Sequence, residues 1–150
     1  EAAATARLGE LGMARMEFAI AAEFFADAAG QLPAKETGLE FDYRQRHAEA
    51  LAGHAETTGD SRVLEAAAQA FRQCRRLLVR ERDPGSWVRT SVGLGDMLMG
   101  LASCSSHPEI PIEEAVVSFA EAAEVIDRNA QPRQWGLVQM SYASALIEQG

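Results

Sequence analysis

The sequence predicts an all-α chain, a right-handed solenoid of antiparallel helix pairs about three repeats long. Three observations carry this expectation. First, 28 of the 150 residues are alanine, the strongest helix former, and no alternating apolar–polar run long enough for a strand is present. Second, three segments share one pattern, small-x3-Phe-x2-small-x3-aliphatic: Ala21, Phe25, Ala28 and Leu32, then Ala67, Phe71, Cys74 and Leu78, then Ala115, Phe119, Ala122 and Ile126. These copies lie 46 and 48 residues apart, and the spacing 0, 4, 7, 11 marks one face of an α-helix. Third, the intervening segments repeat in step. Ala48 and Leu51 match Gly95 and Leu98, which match Ala143 and Leu146, and Pro84-x2-Trp87 recurs as Pro132-x2-Trp135.

The elements follow in order. A remnant of an earlier helix occupies the first ten residues. Helices are predicted at 13–31, 37–57, 61–82, 85–103, 111–129 and 133–149. Gly12 and Gly59, 47 apart, stand where helices should stop, because glycine accepts the left-handed C-terminal position. Asp60 and Ser61 can cap the third helix by accepting backbone N–H bonds. Asp83 followed by Pro84 suits an N-cap and first helical position. Ser103-Cys104-Ser105-Ser106-His107-Pro108 reads as a loop, and Pro111 suits the next start. The whole chain, 1–150, reads as a single repeat domain with units at roughly 13–59, 60–106 and 107–150. Beginning at Glu1 rather than Met, it reads as a piece of a longer protein.

Composition narrows the function. There are 14 basic and 22 acidic residues, net −8, whereas a nucleic-acid binder usually carries a basic face. At 47% hydrophobic and 24% charged, the chain is not of disordered composition. No apolar run approaches the roughly 20 residues of a membrane span, and no secretory signal pattern is visible, so the expected setting is cytoplasmic. Two cysteines, Cys74 and Cys104, make neither a disulfide framework nor a Cys-x-x-Cys site.

Leu94-Gly95-x2-Leu98 followed by Ala115-x3-Phe119 resembles the tetratricopeptide repeat, whose mark is a Leu-Gly pair, an aromatic three residues on, and Ala-x3-Phe on the second helix. His47-Ala48-x2-Leu51 with Ala67-x3-Phe71, and Tyr142-Ala143-x2-Leu146, are the other copies, so residues 13–150 are covered. The chain departs from the family in its period of 46–48 against 34, in lacking the usual Trp (Ser91, Arg44 and Gln139 stand there), and in placing Leu where the aromatic belongs. A HEAT or armadillo repeat has a similar period; the Ala-x3-Phe-x2-small signature favours the tetratricopeptide reading, in its long-period bacterial variety in which Pro-x-x-Trp opens a helix. The resemblance implies a non-catalytic scaffold for protein–protein interaction, with a partner segment lying in a concave groove. The helix bearing the Leu-Gly pair lines that groove in the family, which carries over to Asp42, Gln45 and Glu49, then Arg89, Val92, Asp96 and Met99, then Met140 and Ser144. Such a wall suits a basic or amphipathic peptide. The alternative is a structural segment that assembles through its end helices as a homo-oligomer, since Tyr142, Leu146 and Ile147 have no following helix to cover them.

Residues that could carry chemistry read more simply as structure. Arg72, Arg76 and Arg80 form an i, i+4, i+8 stripe that could hold an anion, but is expected to pair with acids of the next repeat such as Glu121 or Glu124. His47 and His54 are seven apart, the wrong spacing for a zinc helix, so no metal or cofactor is expected. Gly93-Leu94-Gly95 lacks the preceding strand of a phosphate loop and reads as helix, in which Gly95 allows close packing while Gly93 and Gly100 have no legible reason. Cys74 fills the small slot of Ala28 and Ala122; Cys104 lies in a loop with no basic neighbour to lower its pKa.

If the repeated phenylalanines are interior, Phe71→Ala should lower the unfolding free energy by about 3–5 kcal/mol in urea titrations. A loss under about 1 kcal/mol would place Phe71 outside the core.

Overall fold

The computed structural model describes all 150 residues. Seven α-helices and no strands make up the chain, which is therefore all-α. In order they are α1 (Ala2–Ala14), α2 (Phe18–Gly30), α3 (Thr37–Thr58), α4 (Ser61–Arg76), α5 (Pro84–Cys104), α6 (Glu109–Val125) and α7 (Pro132–Gln149). None is long and apolar enough to cross a membrane. The chain divides into two compact units, residues 1–74 and 75–150.

In the first unit, α1 packs on α2 and α2 on α3. The core is built largely of alanine: Ala6, Ala21, Ala22, Ala28, Ala29 and Ala50 surround Phe25, with Tyr43 at the edge. Residues this small let helix backbones approach closely, and Phe25, 1% exposed, fills what remains. Its ring lies against Gly9 of α1; a Cβ placed there would stand 2.9 Å from the ring carbons. Gly53 of α3 makes the same accommodation for Phe18. Arg46 extends over Phe25, 5.9 Å from the ring centre, and pairs with Glu10.

The predicted helix 13–31 is two elements. The stop expected at Gly12 falls four residues later, at Met16, whose φ is +60°. The Met16 and Glu17 N–H groups donate back to the carbonyls of Met13 and Gly12, closing the helix with the paired bonds of a Schellman turn. Gly12 is needed elsewhere: it is buried inside α1, and a Cβ on it would meet Ala21 at 3.1 Å. Close approach, not left-handed backbone, accounts for this glycine. Gly59 does take the left-handed position (φ 64°) and ends α3. Asp60 then accepts from the Arg62 N–H at 2.8 Å. Hydrogen bonds from that backbone and from the Arg62 side chain hold the Asp60 carboxyl below its ordinary pKa.

In the second unit, α6 packs on both α5 and α7. Asp83 caps α5 by accepting from the Ser86 N–H at 3.0 Å, with Pro84 in the first turn. α6 begins at Glu109, which places Pro111 inside its first turn, and ends at Val125. Asp127 then folds the chain by accepting from the N–H groups of Asn129 and Ala130. Phe119, 1% exposed, lies on Gly95 of α5, where a Cβ would stand 2.6 Å from the ring. Val88, Ala122, Ile126 and Val138 form a cluster flanked by Val92 and Trp135.

α4 ends at Arg76, six residues short of the predicted 82. Arg80 therefore lies outside the helix, and the Arg72–Arg76–Arg80 stripe is not a helical stripe. Nothing in Leu77-Leu78-Val79 forbids helix locally; past the helix end Arg80 bonds Glu124 of α6 at 2.9 Å, and Arg75 in the last turn bonds Glu121. The two acids expected as partners are used, by Arg75 and Arg80, while Arg72 reaches Glu65 of its own helix at 3.4 Å.

All nine signature positions are buried: Ala21, Phe25, Ala28, Ala67, Phe71, Cys74, Ala115, Phe119 and Ala122 are each at most 2% exposed. The close ring contact makes a sharp expectation. Gly95→Ala should destabilise the protein by about 1–3 kcal/mol through overpacking, although alanine is about 1 kcal/mol the better helix former. Gly136→Ala in α7, with nothing within 4 Å of the added Cβ, should instead gain up to about 1 kcal/mol. Urea denaturation of the two variants checks the contrast.

Candidate functional site

A cleft of about 590 Å³ lies in the second unit between α5 and α7. It forms because both helices rest on α6 while barely touching each other. From α5 come Val88, Arg89, Val92 and Asp96, with Gly85 at one end; from α7 come Gln134, Leu137, Val138, Met140 and Ser141. Helical spacing puts these residues on adjoining flanks. Val88 and Val138, each 3% exposed, form an apolar floor. Leu137 and Met140 stand open, at 63% and 68% exposure, and Arg89, Asp96 and Gln134 give a mixed polar rim. A cleft with an apolar floor and a few polar groups can hold an apolar side chain and orient its backbone or a charged neighbour.

The cleft gathers four of the nine residues expected in a groove: Arg89, Val92, Asp96 and Met140. Met99 lines a separate concavity of about 440 Å³ with Pro108, Ile112 and Glu148. Ser144 is exposed on α7 and lines neither. In the first unit Asp42 is exposed and Glu49 half-buried on α3. Gln45 corrects the expectation of a groove surface at that position: it is 3% exposed and donates to Glu49 at 3.0 Å, sitting between the buried Tyr43 and Ala48 of α3. The sequence reading passed over Val88, Gln134, Leu137, Val138 and Ser141. The spacing of Gln134, Leu137, Val138 and Ser141, one turn apart along one flank of α7, was the signal available.

Two Arg–Trp stacks accompany the repeated Pro-x-x-Trp. Arg75 lies 4.9 Å from the centre of the Trp87 ring, and Arg128 lies 4.8 Å from that of Trp135. Arg75 also bonds Glu121, so one guanidinium ties the start of α5 to α6. The Trp87 Nε1 and the Ser91 Oγ are buried without a hydrogen-bond partner.

The histidines are dispersed. His47 bonds the Ala22 carbonyl at 2.8 Å, which requires the proton on Nδ1, and thereby links α3 to α2. His107 lies 3.3 Å from Glu109. No group of three or more His, Cys, Asp or Glu side chains is placed to hold a metal ion. Gly93-Leu94-Gly95 lies within α5. Cys74 is buried, and burial pushes its thiol up to about 12. Cys104 is exposed, its Sγ near the Gly100 and Leu101 carbonyls.

Compared with protein-family models, curated proteins and solved structures, the chain matches none.

The thiols should separate in the folded protein. Burial keeps the Cys74 thiol protonated and out of reach while Cys104 is exposed, so Ellman's reagent should label Cys104 within minutes and Cys74 only after denaturation. Labelling of both at one rate would refute the burial of Cys74.

Proposed function

We propose that the chain is a tetratricopeptide-like scaffold module that binds a partner segment without catalysing a reaction, and that the α5/α7 cleft is its binding surface. On this reading the helix pairs stack as a right-handed solenoid of about three repeats. Support comes from the repeated small-x3-Phe-x2-small positions, all buried, and from Gly9 and Gly95 seating equivalent phenylalanines. The observation that carries the binding proposal is the exposure of Leu137 and Met140 beside the buried valine floor. Large apolar side chains left open around a concavity mark interaction surfaces and ligand-binding grooves. With Asp96 on the rim and a net charge of −8, the favoured guest is an amphipathic segment carrying basic residues beside one or two apolar anchors.

Selection of random 12-residue peptides on phage against the folded protein, followed by calorimetry, tests this. Selected peptides should be basic and amphipathic. The double variant Leu137→Asp, Met140→Asp should weaken them about tenfold or more, equal to about 1.4 kcal/mol, and Asp96→Asn should weaken them less, most at low salt. Unchanged affinity for the double variant would remove the cleft from consideration.

A further inference from the structure

We propose that the α5/α7 cleft is directional: it seats a segment whose basic residues lie on one side of an apolar anchor, at the Asp96 end, with an acidic group on the other side, at the Arg89 end. This deepens the reading of the cleft as a binding surface, on which it rests, by adding which way round the guest lies. α5 and α7 run parallel. Val88 and Val138, near their starts, meet the end of α6 at Ala122 and Ile126. Met99 and Ser103, near the end of α5, share a concavity with Glu148, near the end of α7, and with Pro108 and Ile112 at the start of α6. Each helix carries two charged residues, Arg89 and Asp96 in α5, Arg133 and Glu148 in α7, and in each the base comes first. The seam between the two helices therefore has two arginines toward its N-terminal end and two carboxylates toward its C-terminal end. Asp83, also at the first end, is turned to the Ser86 N–H as the α5 cap.

Helical spacing puts these charges on the flanks that face the cleft. Arg89 and Asp96 are nearly two full turns apart, so they share a face and stand about 10 Å from each other along the helix. Arg133, Leu137 and Glu148 fall within about 60° of one another around α7. Between the charged ends lie Val92 on one wall and Leu137 and Met140 on the other. Helix stability does not select this order: Arg133 in the first turn of α7 and Glu148 in the last oppose the macrodipole, which favours the reverse. The open side also belongs to the repeat. Leu137 and Met140 take the positions of Arg89 and Val92 one repeat on, and those are exposed and half-buried although two helices follow α5. A guest lying the other way would set its bases against Arg89 and its carboxylate against Asp96. Over an apolar floor that displaces water, each like-charge contact costs more than it would in open solvent.

A phage library of random peptides around one fixed leucine, selected on the full 150-residue protein, tests the direction. Binders should carry lysine or arginine on one side of the leucine and aspartate or glutamate on the other. In calorimetry on such a binder, Asp96→Arg should weaken it about tenfold or more. Exchanging the binder's bases for glutamate should restore its affinity for that variant. Arg89→Glu should weaken the original binder to a similar degree, and only exchange of the binder's acid for arginine should restore it. Both protein positions are exposed, so the circular dichroism spectrum should not change. Bases on both sides of the leucine, or an Arg89→Glu variant that binds as tightly as the unchanged protein, overturns the proposal. If those same binders are lost on Leu137→Asp, Met140→Asp, the cleft stands as a binding surface and only its direction falls. Binders indifferent to that double variant, or a selection that yields none, remove both.

Discussion

A phenylalanine ring resting on a residue with no side chain is the contact from which the rest of this structure follows. It occurs at Gly9 and Phe25, at Gly95 and Phe119, and again at Gly53 and Phe18. Helical glycine is costly by about 1 kcal/mol against alanine, while full burial of a phenylalanine contributes about 2–3 kcal/mol. The exchange is favourable only if the ring occupies the space the missing Cβ leaves. The alanines around these rings act in the same sense. Ala21, Ala22, Ala28 and Ala29 bury little apolar area individually, but they bring helices close enough for one ring to touch several of them. A core of this composition has few large groups, and each large group is correspondingly hard to replace.

Between the helices, polar contacts set where the chain turns. Arg75 stacks on Trp87 and bonds Glu121 in a partly buried setting, with side-chain exposures of 20% and 30% for the ion pair. Such a pair is screened less than a surface one. The Arg80–Glu124 pair, at 36% and 62%, is wetter and weaker. Trp87 leaves its Nε1 unpaired, so its contribution comes through the ring face, where the guanidinium sits. The second Pro-x-x-Trp uses a different arginine, Arg128, approaching from the connection that precedes α7. The geometry is thus reproduced although the arginine is not in register.

The legible parts of the fold are those where local and tertiary demands coincide. Asp83-Pro84 can only open a helix, and Gly59 has the backbone freedom its turn uses, so both boundaries were readable. The three Phe positions were readable because aromatic residues are scarce in this chain and their spacing is helical. The misread places are those where one residue type serves two ends. Gly12 resembles a stop and is a contact, whereas the true stop is Met16, a residue with no composition signal for a positive φ. The end of α4 at Arg76 has no local signal in Leu77-Leu78-Val79, which are as compatible with helix as with a turn. Gln45 was expected in the groove because the resemblance puts it on the lining helix; its burial beside Tyr43 and Ala48, with its amide donating to Glu49, has no signal in the spacing. Half of the cleft was legible through α5, whose polar residues point to solvent. Of the α7 half only Met140 was expected; Leu137 and Val138 are neighbours in sequence, one open and one buried, and apolar composition alone does not separate them.

α7 concentrates these themes. Its inner side, Val138 and Ala145, obeys the same packing rule as α3 and holds the helix in place. That fixed orientation holds Leu137 and Met140, both open to solvent, in a set place beside the polar rim of Arg89 and Asp96, so packing on one side of α7 is what gives the other side a defined shape, a surface able to discriminate by charge and by apolar fit.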